Sequence, residues 1–388
     1  MRMMKMTVYF DNNATTPLKD GVKKAMAEAL EVYGNPSSVH ACGREARLLQ
    51  DMARRNVAAM FGVRSEQVIF TSSGTEANNL VLRGYFACPE NLEKGSKLVI
   101  SSVEHNCVHK TAVDLNRLNG VSMHMVTVDR NGIIDIDDLK LTLEKGNVGL
   151  VSIMHGNNET GVIQPLDKIV ALCKEYGVRV HTDAVQTAGK VALSFKDMGV
   201  DFMTVSFHKL GGPKGIGAVI MKADIDMECH TSGGSQERNR RAGTENIIGI
   251  AGAGACTEEW QVSVDKMQNQ IGPLRNKLEK GLKQLSNELY IIGESTNRVP
   301  NTTNVIVPGL EGETAVMSLD MAGFCVSTGS ACSSGRVEPS RVILAHGIPA
   351  DEALCALRIS LGWQTTEAEV DAFLAAFGEM LGRMQKAS

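Results

Sequence analysis

Residues 202–221 have the sequence FMTVSFHKLGGPKGIGAVIM, in which two short apolar runs are joined by a glycine-rich turn. The runs at 202–206 and 216–221 are nearly continuous, which is typical of strands buried on both faces of a sheet. Lys209 closes the first strand, so we expect its ammonium group to enter a pocket. Partial burial among cations lowers the pKa of a lysine and makes it a Schiff-base nucleophile. An exposed surface lysine is the alternative, and this stretch alone favours it.

The same pattern of strands and helices recurs from about residue 44 to residue 260. An amphipathic helix is predicted at 49–61, with further strand candidates at 68–70, 97–101, 122–128, 149–154 and 178–181. These short apolar runs, separated by helix-length segments, predict an α/β layered domain. Beyond about residue 260, charged helices such as 266–285 alternate with shorter strands at 303–307, 324–327 and 357–361, and a helix begins near 367. This part is predicted to be a smaller α+β domain.

Composition narrows the class of protein. The 388 residues are 43% hydrophobic and 22% charged with a net charge of −4, which is typical of a globular chain of two domains. The slight acidity argues against nucleic acid or an anionic membrane as the main partner. No apolar run approaches the roughly 20 residues of a membrane-spanning helix, and the first residues do not resemble a secretion signal.

The cysteines do not suggest a disulfide framework. There are nine, an odd number, scattered without a C-x-x-C pair, and this usage favours the cytoplasm. His105 and His109 would share one face of a helix, with Cys107 pointing away from it. Since a third ligand is not obvious nearby, we do not expect a metal.

Unusual polar residues follow several of the predicted strands. In open α/β sheets, ligands bind outside the carboxyl ends of the strands, so these residues are expected to converge on one pocket. They are residues 72–75, His105, Asn157 and Asn158, Asp183 with Gln186, and Ser206 with His208 and Lys209.

Two of these stretches indicate a phosphorylated cofactor. TSSGTEANN at 71–79 places N–H groups and hydroxyls at a helix N-terminus, which favours a phosphate, although an ordinary N-cap supported by Glu76 fits it as well. The absence of both G-x-x-x-x-G-K-[ST] and G-x-G-x-x-G favours a small phosphate ester over a nucleotide. Asp183 needs a cation or several donors, unless it is a helix cap. Together with Lys209, these features predict pyridoxal 5'-phosphate, with the lysine at its aldehyde and the carboxylate at its ring nitrogen.

Three further residues are candidates for the chemistry. His105 could stack on a flat ring and transfer protons near neutral pH, or be a hydrogen-bonded structural histidine. Arg358 is the only charge in its apolar strand and suits capture of a carboxylate, although exposure at a strand edge is about as plausible. Cys332 lies in STGSACSSGRVEPS at 327–340, among residues that favour an exposed loop, whereas free cysteines are usually buried.

In order along the chain, the motifs resemble the cysteine desulfurases, pyridoxal-phosphate enzymes of the aminotransferase class V group that supply sulfur for iron–sulfur cluster assembly. The resemblance covers nearly the whole chain and rests on VYFDNNATT, GNPSS, TSSGTEANN, EHNCV, HGNNETG, HTDAVQ, SFHKLGGPKGIG, GGSQERNRRAGTEN, STGSACSS and RISLG. It implies the fold type I of pyridoxal-phosphate transferases, with a mostly parallel seven-stranded sheet. The large domain would span 15–258, and the small domain would comprise 1–14 and 259–388, with the catalytic cysteine loop at about 325–340.

The resemblance also assigns roles to residues. Lys209 would bind the cofactor's aldehyde, Asp183 would pair with the pyridine nitrogen, and His105 would stack on the ring and transfer protons. Cys332 would accept sulfur. The remaining roles are contacts to the ring oxygen by Asn158 and Gln186, to the phosphate by Gly74, Thr75, Ser206 and His208, to the neighbouring subunit's phosphate by Thr244, and to the substrate carboxylate by Arg358 and Asn158.

The expected reaction converts L-cysteine to L-alanine in a homodimer and delivers a persulfide sulfur to an acceptor, such as an iron–sulfur scaffold protein or the machinery of tRNA thiolation. Phe207 and Trp363 depart from the family pattern and could alter the shape of the pocket. A selenocysteine lyase or an aminotransferase-like enzyme of the same fold is the nearest alternative. A non-catalytic sulfur or metal carrier is an alternative from another class.

Overall fold

The computed structural model describes residues 7–328 and 338–384, so Cys332 lies outside the described residues. The strands fall into one large sheet and two small ones. In chain order they are β1 (Val8–Tyr9), β2 (Val68–Thr71), β3 (Lys97–Ser101), β4 (Ser122–Val126), β5 (Val148–Ser152), β6 (Arg179–Asp183), β7 (Phe202–Ser206), β8 (Gly217–Met221), β9 (Tyr290–Ile291), β10 (Thr302–Ile306), β11 (Phe324–Cys325) and β12 (Ala356–Ser360).

The helices range from single turns to 21 residues. They are α1 (Asp20–Ala29), α2 (Ala41–Phe61), α3 (Gly74–Ala87), α4 (Pro89–Lys94), α5 (Asn106–Asn119), α6 (Ile136–Glu144), α7 (Leu166–Glu175), α8 (Phe195–Met198), α9 (Gln236–Asn239), α10 (Ile247–Glu258), α11 (Trp260–Lys266), α12 (Gly272–Leu285), α13 (Gly312–Ala322), α14 (Arg341–Ala345), α15 (Ala350–Ala353) and α16 (Glu367–Met384). None of these described helices is long and apolar enough to cross a membrane.

The large sheet has the strand order β2-β8-β7-β6-β5-β3-β4. β8 is antiparallel to both of its neighbours, and all the other pairs are parallel. Every residue of β2, β5, β7 and β8 is buried, as expected for strands covered on both faces. The prediction of a mostly parallel seven-stranded sheet is confirmed. β4 lies at the edge and is more exposed.

The smaller part of the chain contains the antiparallel sheet β12-β10-β9 and the parallel pair β1-β11. Val8 and Phe10, near the N-terminus, belong to its core, where the Phe10 ring lies 5.5 Å from that of Phe373 between centroids. Two separate cores cover the faces of the large sheet. These packing clusters support a division near residues 14 and 259, and those boundaries stay a prediction.

The helix predicted at 266–285 changes its hydrogen-bond pattern near its start. α11 ends at Lys266, a single π-helical turn covers Met267–Ile271, and α12 begins at Gly272 with a proline in its first turn. Pro273 has no backbone N–H to donate to the preceding turn, so the regular hydrogen-bond pattern cannot continue through it. The residues at both ends of this turn keep right-handed helical dihedral angles, so the helix continues through it. Hydrophobic periodicity does not reveal the local change in hydrogen bonding.

Candidate active site

A cavity of about 800 Å³ lies where the carboxyl ends of β2, β3, β5, β6 and β7 meet the small sheet. Most of the predicted site residues line it, namely Gly74, Thr75, His105, Asn158, Asp183, Gln186, Ser206, His208, Lys209 and Arg358. Residues 327–328 and 338–341, on either side of the segment with Cys332, border the same cavity. Thr244 is exposed and does not line it.

Lys209 lies in a short 3₁₀ turn directly after β7. Its Nζ donates hydrogen bonds to the backbone oxygens of Asn13 at 2.5 Å and of Ala14 at 2.6 Å. Burial, followed by the nearby Arg358 guanidinium, lowers the Lys209 pKa to about 8. The turn therefore holds an amine that is partly neutral near physiological pH, as a Schiff-base lysine requires.

Asp183 is the last residue of β6 and is buried. Its Oδ1 accepts the Val185 amide at 2.9 Å, and its Oδ2 accepts Asn78 Nδ2 at 2.7 Å. Asn78 is itself fixed, because its Oδ1 accepts the Thr204 hydroxyl at 2.6 Å. No cation lies within ion-pair distance of this carboxylate among residues 7–328 and 338–384. The Asp183 carboxyl group is therefore oriented by two donors and has no cation beside it among the described residues.

His105 caps the N-terminus of α5 rather than lying within the helix. Its Nδ1 accepts the Cys107 amide at 3.2 Å and lies 2.9 Å from Cys107 Sγ. The neutral ring then carries its proton on Nε2. Burial lowers the His105 pKa, Asp183 opposes this, and Lys209 adds to it. The imidazole is therefore a neutral hydrogen-bond donor at Nε2.

The N-terminus of α3 borders the cavity beside β7. Ser73 Oγ caps the helix by accepting the Glu76 amide at 3.1 Å. A Cβ atom on Gly74 would lie 3.0 Å from Val185 Cγ2 and 3.1 Å from Ser206 Cβ, so glycine keeps this approach open. Burial, then the charges of Lys209 and Lys214, lowers the His208 pKa to about 4, so that its ring is neutral. A helix N-terminus with free space in front of it suits a phosphate.

Arg358 reaches the cavity from β12. Its two terminal nitrogens donate to Asp11 Oδ1 at 2.8 Å and to the Asn158 backbone oxygen at 3.1 Å. Its Nε and the Asn158 Oδ1 are buried and have no hydrogen-bond partner among the described residues. Buried polar atoms nearly always have partners, so these two atoms fit a polar ligand.

The donor set fits pyridoxal phosphate. The cavity has a lysine with a lowered pKa, an oriented carboxylate without a cation, a helix N-terminus beside a glycine and unpartnered buried polar atoms. The first three are the groups that its aldehyde, ring nitrogen and phosphate would each need. Arg358 Nε, unpartnered among the described residues, is a donor for a bound anionic group. Of the described residues, no group of three or more His, Cys, Asp or Glu is placed to hold a metal ion.

The sequence did not reveal two buried carboxyl groups in the cavity wall. Glu104 is fully buried, with Oε1 accepting Ser101 Oγ at 2.6 Å, and burial raises its pKa to about 8. Glu159 accepts the Ser340 hydroxyl at 2.5 Å, and burial raises its pKa to about 7. Arg341 donates to the backbone oxygen of Glu104. Glu104 directly precedes His105, and Glu159 directly follows Asn158. This adjacency to predicted site residues was the only feature of the sequence that could have revealed the two glutamates.

Phe207 and Trp363 lie outside the cavity lining. Phe207 is fully buried in the core of the large sheet, with its ring 6.4 Å from that of Phe70 between centroids. Trp363 packs against the core of the small part, and Lys266 Nζ lies 5.6 Å from its ring centroid. Neither departure therefore shapes the cavity by direct contact.

Comparison with known proteins agrees with this geometry. The family described as Aminotransferase class-V matches residues 8–373. The chain is 40% identical over 387 residues to "Cysteine desulfurase IscS" of Dictyoglomus turgidum, covering 99% of this chain and 97% of the relative. A solved "NifS-like protein" superposes with a TM-score of 0.88 at 35% identity, over 97% of this chain and 100% of the other.

A third similarity is to a structure entitled "SspA in complex with cysteine". It superposes with a TM-score of 0.80 at 30% identity, over 92% of this chain and 99% of the other. The chain belongs to the class-V aminotransferase family and, within it, to the pyridoxal-phosphate-dependent cysteine desulfurases.

Proposed function

We propose that this enzyme converts L-cysteine to L-alanine and passes the sulfur, as a persulfide on Cys332, to an acceptor. The cavity carries the proposal, because Lys209 and residues 327–328 and 338–341 all line it. A bound substrate and the segment with the acceptor thiol would thus share one space. The similarity to a structure entitled as a complex with cysteine also supports this substrate.

Pyridoxal phosphate, when bound, supplies an aldehyde that captures the substrate amine and a ring that accepts electrons from the substrate Cα. We assign its aldehyde to Lys209 and its ring nitrogen to Asp183. We assign its ring oxygen to Asn158 and Gln186, its ring face to His105, and its phosphate to Gly74, Thr75, Ser206, His208 and, from a neighbouring subunit, Thr244.

Substrate binding falls to Arg358 and Asn158. The guanidinium is buried and pairs with the Asp11 carboxylate, so a substrate carboxylate would compete with Asp11 for its N–H groups. The unpartnered Arg358 Nε and Asn158 Oδ1 are the free hydrogen-bonding positions. The Oδ1 atom accepts hydrogen bonds only, so it suits an N–H or O–H group rather than a carboxylate oxygen.

Proton transfer at the substrate Cα is assigned to Lys209 Nζ. Its lowered pKa leaves part of the amine neutral and able to take a proton. The backbone oxygens of Asn13 and Ala14 then accept its N–H groups. His105 presents an N–H at Nε2, which suits a hydrogen bond to the departing sulfur. To accept a proton, as predicted, His105 would have to use Nδ1, because Nε2 already carries a hydrogen. The hydrogen bond from the Cys107 amide to Nδ1 would then have to break.

The proposed reaction balances without an external oxidant. The substrate's carbon–sulfur bond breaks, and a sulfur–sulfur bond forms with Cys332 as thiolate. The substrate Cβ takes up the electron pair and a proton to become the methyl group of alanine. The two sulfur atoms together lose the two electrons that Cβ gains, and the second thiol proton remains with the persulfide.

Two features support the proposed assembly and location. Thr244 is exposed on the single chain, as a residue that reaches a neighbouring subunit must be, so we propose a homodimer with shared sites. Eight of the nine cysteines lie in the described part of the chain and are free thiols. This fits a reducing compartment, and we propose the cytoplasm. The sulfur acceptor is proposed to be a protein, such as an iron–sulfur scaffold.

The test supplies L-cysteine and a thiol reductant and measures alanine and sulfide together. Equal yields that collapse in both Lys209→Ala and Cys332→Ala support the proposal. Lys196→Ala and Cys42→Ala are controls away from the cavity and should behave as wild type. Pyruvate in place of alanine would contradict the scheme. Release of selenium from selenocysteine by Cys332→Ala, without turnover of L-cysteine by wild type, would indicate a selenocysteine lyase.

A further inference from the structure

Lys190 is a buried lysine beside the cavity, whereas Lys209 is only partly buried. It is 1% exposed and is not part of the cavity lining. Its Nζ donates hydrogen bonds to Asn13 Oδ1 at 2.7 Å and to Gln186 Oε1 at 2.9 Å. In the part of the chain that the structure describes, no carboxylate lies within ion-pair distance of it.

An ammonium group in this place is unfavourable for folding. Burial without a carboxylate partner costs free energy, and here it lowers the Lys190 pKa well below its ordinary value. A methionine would fill a similar volume without that cost. The two hydrogen bonds of Lys190 therefore need an explanation beyond packing.

The bond from Lys190 selects one of the two orientations of the Gln186 amide. Because Nζ donates to Oε1, the NH₂ group of Gln186 must point the other way. Gln186 Nε2 donates one hydrogen to the Asn13 backbone oxygen at 3.0 Å. Its second hydrogen remains available on the cavity side, where Gln186 is a lining residue.

Lys190 fixes the Asn13 side chain in the same way. Asn13 Oδ1 accepts Lys190 Nζ and, at 3.2 Å, Asn301 Nδ2. Asn13 Nδ2 consequently faces the Asn158 backbone oxygen at 3.1 Å. The Asn13 backbone oxygen accepts Lys209 Nζ. One buried amine thus helps to orient two amide groups that border the proposed attachment lysine, together with Asn301 and the Asn13 backbone oxygen.

We propose that Lys190 is a positioning residue that fixes the Gln186 amide with its NH₂ group toward the bound cofactor. The inference rests on the proposed function, in which Gln186 contacts the ring oxygen of pyridoxal phosphate. That oxygen, when ionised, accepts hydrogen bonds only, so a Gln186 amide turned the other way would set two oxygens against each other. Lys190 acts through Gln186 and does not touch the cofactor.

The test is a double-mutant cycle on the full chain titrated with pyridoxal phosphate, which isolates the coupling between two residues. Lys190→Met should raise the dissociation constant about tenfold when Gln186 is present, since one oriented hydrogen bond is lost. In the Gln186→Met background the same change should have an effect of less than about twofold. Lys196→Met, an exposed change between the same residue types, is the matched control.

A second readout is the pH midpoint of the holoenzyme's visible absorption band, which should shift in Lys190→Met and stay in place in Lys196→Met. If Lys190→Met does not fold by circular dichroism, Lys190→Leu, which also lacks a donor for Gln186 Oε1, takes its place in the cycle. Equal weakening in both Gln186 backgrounds would overturn the inference. If the effects of the two substitutions on the dissociation constant simply add while alanine forms normally, the role of Lys190 is wrong and the proposed reaction stands. If the two effects are coupled but no alanine forms, the proposed reaction is wrong and the role of Lys190 stands.

Discussion

Replacing Glu104 with glutamine should make the enzyme more stable than wild type at alkaline pH. Glu104 is fully buried, its Oε1 accepts Ser101 Oγ and the Met154 amide, and its Oε2 has no partner among the described residues. Burial raises its pKa from 4.5 to about 8. The glutamine carbonyl can keep both accepted hydrogen bonds, and glutamine cannot ionise.

The sign follows from the two pKa values. The folded-state pKa of Glu104 lies above the unfolded value, so its contribution to stability is fully present below pH 4.5 and is lost as the pH rises through about 8. Each pH unit in that interval costs wild type about 1.4 kcal/mol. Between pH 5.5 and pH 8.5 the glutamine variant should therefore gain about 3 kcal/mol relative to wild type.

The assay is thermal unfolding of both holoenzymes at these two pH values with saturating pyridoxal phosphate. For a chain of this length, about 3 kcal/mol corresponds to a relative shift in Tm of about 4 °C. Glu144→Gln, at an exposed carboxyl group on α6, should show no such relative shift. If the difference in Tm between Glu104→Gln and wild type is the same at both pH values, the account of this carboxyl group is refuted.

Three further predictions concern ion pairs and the cofactor site. Arg54→Met should lower the free energy of unfolding, measured by denaturation, by about 3–5 kcal/mol. The reason is that the buried Glu237 carboxylate loses a partner that donates two hydrogen bonds at 2.7 Å. A loss under about 1 kcal/mol would contradict this. Asn78→Ala should raise the dissociation constant of pyridoxal phosphate about tenfold, since Asp183 loses the hydrogen bond that Asn78 donates at 2.7 Å. Unchanged binding would show that Asn78 does not position Asp183 for the cofactor. In steady-state assays, Arg358→Lys should raise the KM for L-cysteine about tenfold and leave kcat nearly unchanged, because lysine lacks the planar guanidinium that matches a carboxylate. A fall in kcat at constant KM would count against binding of the substrate carboxylate by Arg358.

The sequence predicted the large sheet well because its strands are continuous apolar runs. The predicted strands at 97–101 and 202–206 agree with β3 and β7 at both ends. The strand predicted at 324–327 was less accurate. β11 ends at Cys325, and Ser327 instead forms an isolated bridge with Arg358. Pairing partners from distant parts of the chain decide such ends, and local pattern does not contain them.

Many residues that line the cavity were accessible to sequence reasoning because they directly follow strands. Glu104 and Glu159 in its wall, and the side chains that hold the predicted residues in place, were not. Asn78 lies inside α3 and Lys190 lies in a turn, where hydrophobic periodicity gives polar residues no special weight. Their importance comes from the atoms they meet, Asp183 Oδ2 and Gln186 Oε1, which lie on other elements or on another turn of the same segment. Sequence reasoning predicted roles for Asp183 and Gln186, but it did not indicate which side chains hold them in place.

The most direct test of the account asks which lysine carries the cofactor. The holoenzyme is reduced with borohydride, digested, and mapped by mass spectrometry. We expect the pyridoxyl-modified peptide to contain Lys209, and we expect Lys209→Ala to abolish both the modification and the yellow colour. Modification of Lys190, a buried lysine whose pKa burial lowers, would contradict this expectation. A colourless protein that borohydride leaves unmodified would also contradict it.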